Sequence, residues 1–187
     1  QFSQRLEEHG TKVFWARSGV EASQYILQVA REHRAQTIVK SKSMTTEEIH
    51  LNDALEREGY RVVESDLGEF IVQLRKETPY HFVFPAMHLK RGEISETFKR
   101  EIGSRSTDNP EELTMIARRT LRKAFCQADV GITGANFGIA ETGMISITEN
   151  EGNARLTMGL PKVHIAVMGI EKILPRLEHL ALFLPML

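Results

Sequence analysis

Cysteine is nearly absent from this sequence: 187 residues carry one, Cys126. A single thiol cannot close an internal disulfide. An all-cysteine zinc site or an iron–sulfur cluster needs several thiolates, so neither fits within these residues alone. The scarcity of thiols suits a reducing, cytoplasmic compartment. A surplus of charge is missing too. Lys+Arg is 24 and Asp+Glu is 25, a net charge of -1. That balance argues against a nucleic-acid partner, because neutralising phosphates takes an excess of basic side chains. No apolar run approaches the ~20 residues that cross a bilayer. The longest is the C-terminal stretch 180–187, so no membrane span is expected. The zinc spacings His-x-x-x-His and His-Glu-x-x-His do not occur, which disfavours a metal site.

What is present suits a globular domain. Hydrophobic residues make up 41%, and a chain of this length buries about 70% of its unfolded surface. It can therefore hold a core without metal or disulfide staples. No repeat, low-complexity tract or linker divides it, so residues 1–187 read as one domain. The first residue is Gln1 and the last stretch is apolar, which reads as a fragment of a longer protein.

Short apolar runs alternate with helical stripes. Val13-Phe14-Trp15-Ala16 reads as a buried strand. Ser18 with Glu21 forms a capping box, and Ala22, Ile26, Val29 and Ala30 recur at helical spacing. Thr37-Ile38-Val39 reads as the next strand. Thr45 with Glu48 caps a second helix, with Met44 and Ile49 as its hydrophobic staple and Gly59 at its end. Residues 61–64 read as strand. So do 70–74, for their Ile and Val, and 81–84, stopped by Pro85. Residues 92–101 look helical. Asn109-Pro110-Glu111-Glu112 opens the clearest helix, with Leu113, Ile116, Ala117, Leu121, Ala124 and Phe125 on its apolar face. Residues 130–133, 144–148 and 162–168 read as strands, 149–153 as a turn, and a helix starts near Glu171. The alternation predicts an α/β fold, three-layer α/β/α, with a mainly parallel sheet.

Three stretches could carry chemistry. Lys40-Ser41-Lys42-Ser43-Met44-Thr45-Thr46 follows a strand and opens a helix, where free amides, hydroxyls and lysines favour an anion. Its plainer reading is a polar loop in which Thr45 only caps the helix. It lacks the glycines of a phosphate-binding P-loop. Gly134-Ala135-Asn136 sits in a Gly-rich segment that is not a Gly-x-Gly-x-x-Gly fingerprint. Glycine there lets a ligand approach the backbone, and Asn136 offers a donor and an acceptor. The plainer reading is a turn. Glu141, followed by Thr142 and Gly143, is a candidate acid/base if buried, and otherwise an ordinary surface or capping glutamate. His164, inside a strand, reads as a hydrogen-bonded structural histidine.

Several motifs occur in one order. They include the 40–48 stretch, Asp108-Asn109-Pro110-Glu111-Glu112-Leu113-Thr114, Ala128-Asp129-Val130-Gly131-Ile132-Thr133-Gly134-Ala135-Asn136 and Ile139-Ala140-Glu141-Thr142-Gly143. Asn150-Glu151-Gly152-Asn153-Ala154-Arg155, Leu160-Pro161-Lys162-Val163-His164 and Gly169-Ile170-Glu171-Lys172 follow. Together this resembles the LUD domain of lactate-utilisation iron–sulfur proteins of the LutB (YkgF) type. The resemblance implies a NagB/RpiA/CoA-transferase-like fold and a role in oxidising L-lactate to pyruvate as part of a cytoplasmic multi-subunit complex. It also implies two [4Fe–4S] clusters in a Cys-rich C-terminal part that these residues do not include. The domain alone is therefore expected to be inactive in lactate oxidation. On this reading Lys40, Ser41, Lys42, Ser43, Thr45, Gly134, Asn136, Thr142 and Gly143 bind a small carboxylate or other anion, and Glu141 is the catalytic candidate. The alternatives are a non-catalytic subunit-assembly domain and a sugar-phosphate or acyl-CoA enzyme on the same fold.

Overall fold

Neighbouring residues of a strand face opposite ways, and Ile38 and Val39 enter two different cores. Both belong to a central strand, with helices packed on either face of its sheet. The computed structural model describes residues 1–149 and 151–187; Asn150, part of the 149–153 turn, lies outside the described residues. In chain order the elements begin with helices α1 (Phe2–Glu8) and α2 (Gly19–Glu32), strand β1 (Thr37–Lys40), and helices α3 (Met44–Glu48) and α4 (Leu51–Arg57). Strand β2 (Arg61–Glu64) follows, then α5 (Leu67–Arg75), α6 (Arg91–Ile102) and α7 (Pro110–Gln127). The chain closes with β3 (Val130–Gly134), β4 (Phe137–Ile139), β5 (Met144–Ser146), α8 (Asn153–Gly159), β6 (Val163–Val167), β7 (Ile173–Leu174) and α9 (Leu180–Phe183).

The main sheet has four strands in the order β2-β1-β3-β6, and every pair in it is parallel. On one face Ile26, Leu27 and Ala30 of α2 and Leu51 and Leu55 of α4 pack on Ile38, Val62, Val130 and Ile132. On the other, Phe70 and Ile71 of α5, Phe98 of α6 and the apolar stripe of α7 pack on Val39 and Val63. Helix α8 lies directly on β3. Gly131 has no side chain at the point where the Thr157 carbonyl passes, and a Cβ there would collide with it. A second sheet, β5-β4-β7, pairs β4 antiparallel to β5 and parallel to β7. Its core of Phe137, Ile139 and Leu174 is capped by Leu180 and Phe183.

Local signals located the starts of α2 and α7. Ser18 Oγ accepts the Glu21 amide at 3.2 Å. Glu21, however, returns its carboxylate to the Arg17 amide rather than to Ser18. Asn109 Oδ1 accepts the Glu112 amide at 3.1 Å and Pro110 takes the first helical position.

Elsewhere tertiary contacts overrule the pattern. Residues 13–16 form no strand: Phe14 and Trp15 are exposed, Phe14 stacks on Tyr25 at 4.0 Å, and the Trp15 indole donates to Ser3. The second helix is capped by Ser43 rather than Thr45, because Ser43 has the extended backbone a cap needs while Thr45 is already helical. Met44 is exposed and is the first residue of the helix rather than the residue before its cap, where a staple would stand. That helix also breaks in two at His50, whose φ is 50°. Residues 70–74 are helical, not a strand. Phe70, Ile71 and Leu74 share one helical face, and burying it against α6 and α7 outweighs the β preference of Ile and Val. Residues 81–84 are a bent loop in which His81 Nδ1 accepts the Val83 and Phe84 amides. The expected helix near Glu171 is one 3-10 turn, Ile170–Lys172, that feeds β7.

Candidate functional site

Parallel strands end together, and their order reverses between β1 and β3. The chain steps from β1 outward to β2, then returns to the other side of β1 for β3 and β6. At such a switch point the loops leaving the two strands diverge to opposite faces, and the gap between them is where open α/β sheets place ligands. Here the loop after β1 is Ser41-Lys42-Ser43 and the strand beside it ends at Gly134.

The loop is firmly held. The Ser41 amide extends the ladder to the Ile132 carbonyl at 3.0 Å, and the Lys42 amide donates to Asp66 Oδ2 at 2.6 Å. Ser43 Oγ accepts the Thr46 amide, and Thr46 Oγ1 donates back to the Ser43 carbonyl at 2.9 Å. Gly134 lies against this cap: a Cβ there would stand 2.7 Å from Ser43 Oγ. The structure thus brings Ser41, Lys42, Ser43, Thr45 and Gly134 to one end of the sheet.

Lys40 sits beneath them and is 0% exposed. Its ammonium lies 2.9 Å from Glu64 Oε1, 3.1 Å from Glu47 Oε1 and 3.1 Å from Thr46 Oγ1. Burial opposes its charge, but the Glu64 and Glu47 carboxylates outweigh burial and hold its pKa above the ordinary lysine value. Burial also raises Glu64, against the pull of Lys40 and of the Asn52 amide, which donates at 2.6 Å. Lys42 is half-buried and held more loosely than Lys40. Its Nζ donates to the Val83 carbonyl at 3.4 Å and stands 5.6 Å above the Phe82 ring. The 80–87 loop therefore lies across the mouth of the strand ends, with Pro85 seated on Gly68 of α5.

The other candidates lie elsewhere. Asn136 Oδ1 accepts the Thr148 amide at 2.8 Å, bracing the turn into β4. Glu141 Oε1 accepts the Leu177 amide at 2.9 Å, and Thr142 Oγ1 accepts the Met144 amide at 3.2 Å. Gly143, with φ of 73°, packs on the α1 backbone at Arg5 and Leu6. The contacts of Glu141, Thr142 and Gly143 all fall within the second sheet and its neighbours rather than at the end of β1. Two surface recesses, of about 480 Å3 beside Lys90 and Asp108 and about 390 Å3 beside Asp53 and Arg57, also lie away from the strand ends.

Sequence reasoning missed the acidic side of the site. Glu64 pairs with Lys40, Asp66 accepts the Lys42 amide, and Glu151 Oε2 accepts the Leu67 amide at 3.2 Å. Glu69 is 4% exposed. Burial, followed by the charges of Glu64 and Glu47, pushes its carboxyl up to about 7. The available signal was an acidic pair, Glu64 and Asp66, at the carboxyl end of a strand. His164 is the structural histidine its strand position implied: its Nε2 lies 2.8 Å from Thr133 Oγ1, and burial lowers its pKa.

Comparison with known proteins bears on the whole chain. The LUD domain family profile matches residues 1–186. The chain belongs to the LUD domain family. It is 50% identical over its full length to lactate utilization protein B of Shouchella clausii, of which it covers 40%. It is 49% identical over its full length to the protein of that name from Oceanobacillus iheyensis, covering 39%. For that from Bacillus velezensis the identity is 48%, covering 40%. The chain thus spans about two fifths of the length of these curated relatives. No solved structure matches it. The LUD domain described here does not fit a [4Fe–4S] cluster. Cys126 is its one cysteine and is exposed, and among the described residues no group of three or more His, Cys, Asp or Glu is arranged around a metal position. No helix of the described residues is long and apolar enough to cross a membrane.

Proposed function

We propose that this LUD domain is the organic-acid-binding portion of a cytoplasmic iron–sulfur subunit that takes part in oxidising L-lactate to pyruvate. Kinship over the full chain with lactate utilization protein B supports the pathway. The observation that carries the site is the meeting of Ser41-Lys42-Ser43 and Gly134 at the β1/β3 switch point. In this reading Lys42 leaves its weak contact with Val83 to hold the carboxylate of the guest, and the close approach at Gly134 sets how deep the guest sits. Buried Lys40 acts from below, fixing Glu64, Glu47 and the start of α3 rather than touching the guest. Ser41, Ser43 and Thr45 line the entrance. Glu141, Asn136, Thr142 and Gly143 stay candidates that reach the guest only if the second sheet closes toward the first. The strand layout suits the NagB/RpiA/CoA-transferase-like group. The [4Fe–4S] clusters implied by the resemblance would be held by other segments or subunits, where they would supply electron transfer.

Titration of L-lactate and pyruvate by calorimetry or NMR tests this, with Lys42→Ala as the variant. Losing a charge-assisted contact of about 1.5–3 kcal/mol weakens binding roughly 10- to 100-fold. Failure of both acids to bind, or equal binding by the variant, overturns the proposal. The second reading, a subunit-assembly domain, draws on the exposed Phe82, Val83, Phe84 and Met87 of the 80–87 loop. It requires partner binding that Lys42→Ala leaves intact.

A further inference from the structure

Helix α7 turns an almost purely cationic face outward. Arg118, Arg119, Arg122 and Lys123 are all exposed, on the side away from the buried Leu113, Ala117, Leu121 and Ala124. From Leu113 to Gln127 the helix carries these four cations and no carboxylate, in a chain whose net charge is -1. None of the four is in an ion pair among the described residues. Other exposed arginines do find a carboxylate: Arg31 lies 2.6 Å from Glu58, Arg105 2.9 Å from Glu112 and Arg155 3.2 Å from Glu149. The two glutamates of α7 stand in its first turn, and Glu112 is already bonded to Arg105 and Thr107. The helix dipole does not account for the cations. Its pull on positive charge falls off within the last turn, and the last turn of α7 holds no basic residue. Spacing works against the helix as well. Arg118 and Arg122, Arg119 and Arg122, and Arg119 and Lys123 stand three or four residues apart on one face, where like charges repel. Nothing among the described residues offsets that repulsion, so the face is complementary to negative charge from outside.

We propose that the outer face of α7 docks the acidic face of a partner polypeptide, with Arg119 and Arg122 at its centre. Three of the four cations are arginines, whose planar forks match carboxylates two bonds at a time. From Arg118 to Lys123 the face runs only about 7.5 Å along the helix axis. That footprint suits Asp and Glu presented one turn apart on a facing helix. A membrane surface fits less well, because Met115, 42% exposed, is the one large hydrophobic side chain that α7 exposes among the described residues. A nucleic acid would need a longer basic track than this charge-balanced chain provides. The surface is separate from the anion site: α7 feeds β3 at the end of the sheet opposite Ser41-Lys42-Ser43. The inference therefore stands whether or not the organic-acid reading does.

Fluorescence anisotropy of a labelled oligoglutamate peptide, titrated with the protein at low and at physiological salt, tests this. Saturable, salt-sensitive binding is expected for the wild type. Arg119→Gln with Arg122→Gln is expected to weaken it at least about tenfold. Arg17→Gln with Arg57→Gln removes the same net charge from α4 and the entry to α2, on the other side of the sheet. That pair is expected to change affinity by less than about twofold. Equal loss in both pairs reports net charge alone and overturns the inference, as does an absence of binding at low salt. Tighter binding of a duplex oligonucleotide or of phosphatidylglycerol vesicles than of oligoglutamate overturns the choice of partner. So does self-association in sedimentation that Arg119→Gln with Arg122→Gln abolishes, since a second copy then covers the face. Cys126, exposed one turn beyond Arg122, gives a reading that needs no variant. Its alkylation is expected to slow when oligoglutamate is bound, and an unchanged rate overturns the placement on α7.

Discussion

The Lys40 ammonium sits 2.9 Å from Glu64 Oε1, and the two residues are direct partners in the β1–β2 register. Both side chains leave the sheet on the face that carries α3 and α4, at the ends of strands whose central residues, Ile38-Val39 and Val62-Val63, are apolar. Neither charge reaches water: their side chains are 0% and 3% exposed. Glu64 Oε2 has no hydrogen-bond partner among the described residues, so Lys40 and Asn52 together supply what holds this carboxylate in the interior.

Replacing Lys40 by Met is therefore expected to cost about 3–5 kcal/mol, because it strands a buried carboxylate. Adding Glu64→Gln to that variant removes the stranded charge and is expected to recover part of the loss. Urea denaturation of the two single variants and the double variant measures both effects. Additive losses in the double variant sink the interpretation.

Gly131→Ala places a methyl group against the Thr157 carbonyl and forces α8 away from β3. A loss of at least about 1–3 kcal/mol is expected, accompanied by weakening of the Asn153–Ser65 contact that ties α8 to the end of β2. Gly159→Ala, with nothing within 4 Å of the new methyl, is the control. It is expected to leave stability unchanged or raise it by about 0.4–1 kcal/mol. Thermal melts of the two variants compare them directly.

Glu69 makes stability fall as pH rises. Its carboxyl binds protons more tightly in the folded chain, at about 7, than at the ordinary value of 4.5. Between those values the folded state holds more proton than the unfolded one, so the slope is negative, and it levels off above the upper value. The full effect is on the order of 3 kcal/mol. Relative to wild type, Glu69→Gln is expected to lose this slope and to gain its advantage above neutrality. Denaturation midpoints at several pH values check it, and parallel pH profiles for the two proteins refute it.

Asp129 has the opposite sign. Its carboxylate accepts the Gln36 amide at 2.8 Å and the Thr37 amide at 3.0 Å, and those bonds hold its pKa below 3.8. This contribution is complete above the ordinary aspartate range and disappears as pH falls through the lowered value. Asp129→Ala is expected to cost about 1.5–3 kcal/mol at neutral pH. The gap to wild type is expected to narrow in acid, as read by guanidinium unfolding.

Much of the scaffold is written locally. Ser18, Asn109 and Pro110 mark helix starts by chemistry that needs only the next few residues. The apolar stripe of α7 is legible because burial and helical period coincide over a long element. The runs 37–39, 61–64 and 130–133 read as strands because their central residues are buried on both faces, which makes those short runs apolar at their centres. The same logic explains the failures. Residues 70–74 and 13–16 are short apolar runs, and short runs do not say whether a helix face, a strand or an exposed stacking pair will use them. Packing against α6 and α7 decided the first, and stacking of Phe14 on Tyr25 decided the second.

By itself the sequence determined the α/β alternation, the anion-friendly chemistry of residues 40–46 and the motif order shared with LUD domains. All of these rest on contacts between near neighbours or on residue types. Tertiary structure alone decided which lysine is sealed and which is free. Strand register set Lys40 opposite Glu64, while the loop after β1 left Lys42 half-buried against Val83 and Phe82. It also decided that Glu69, far along the chain from both, shares their electrostatic field. Chain distance carries no information about that, because Coulomb energy depends on separation in space and on how much water has been removed.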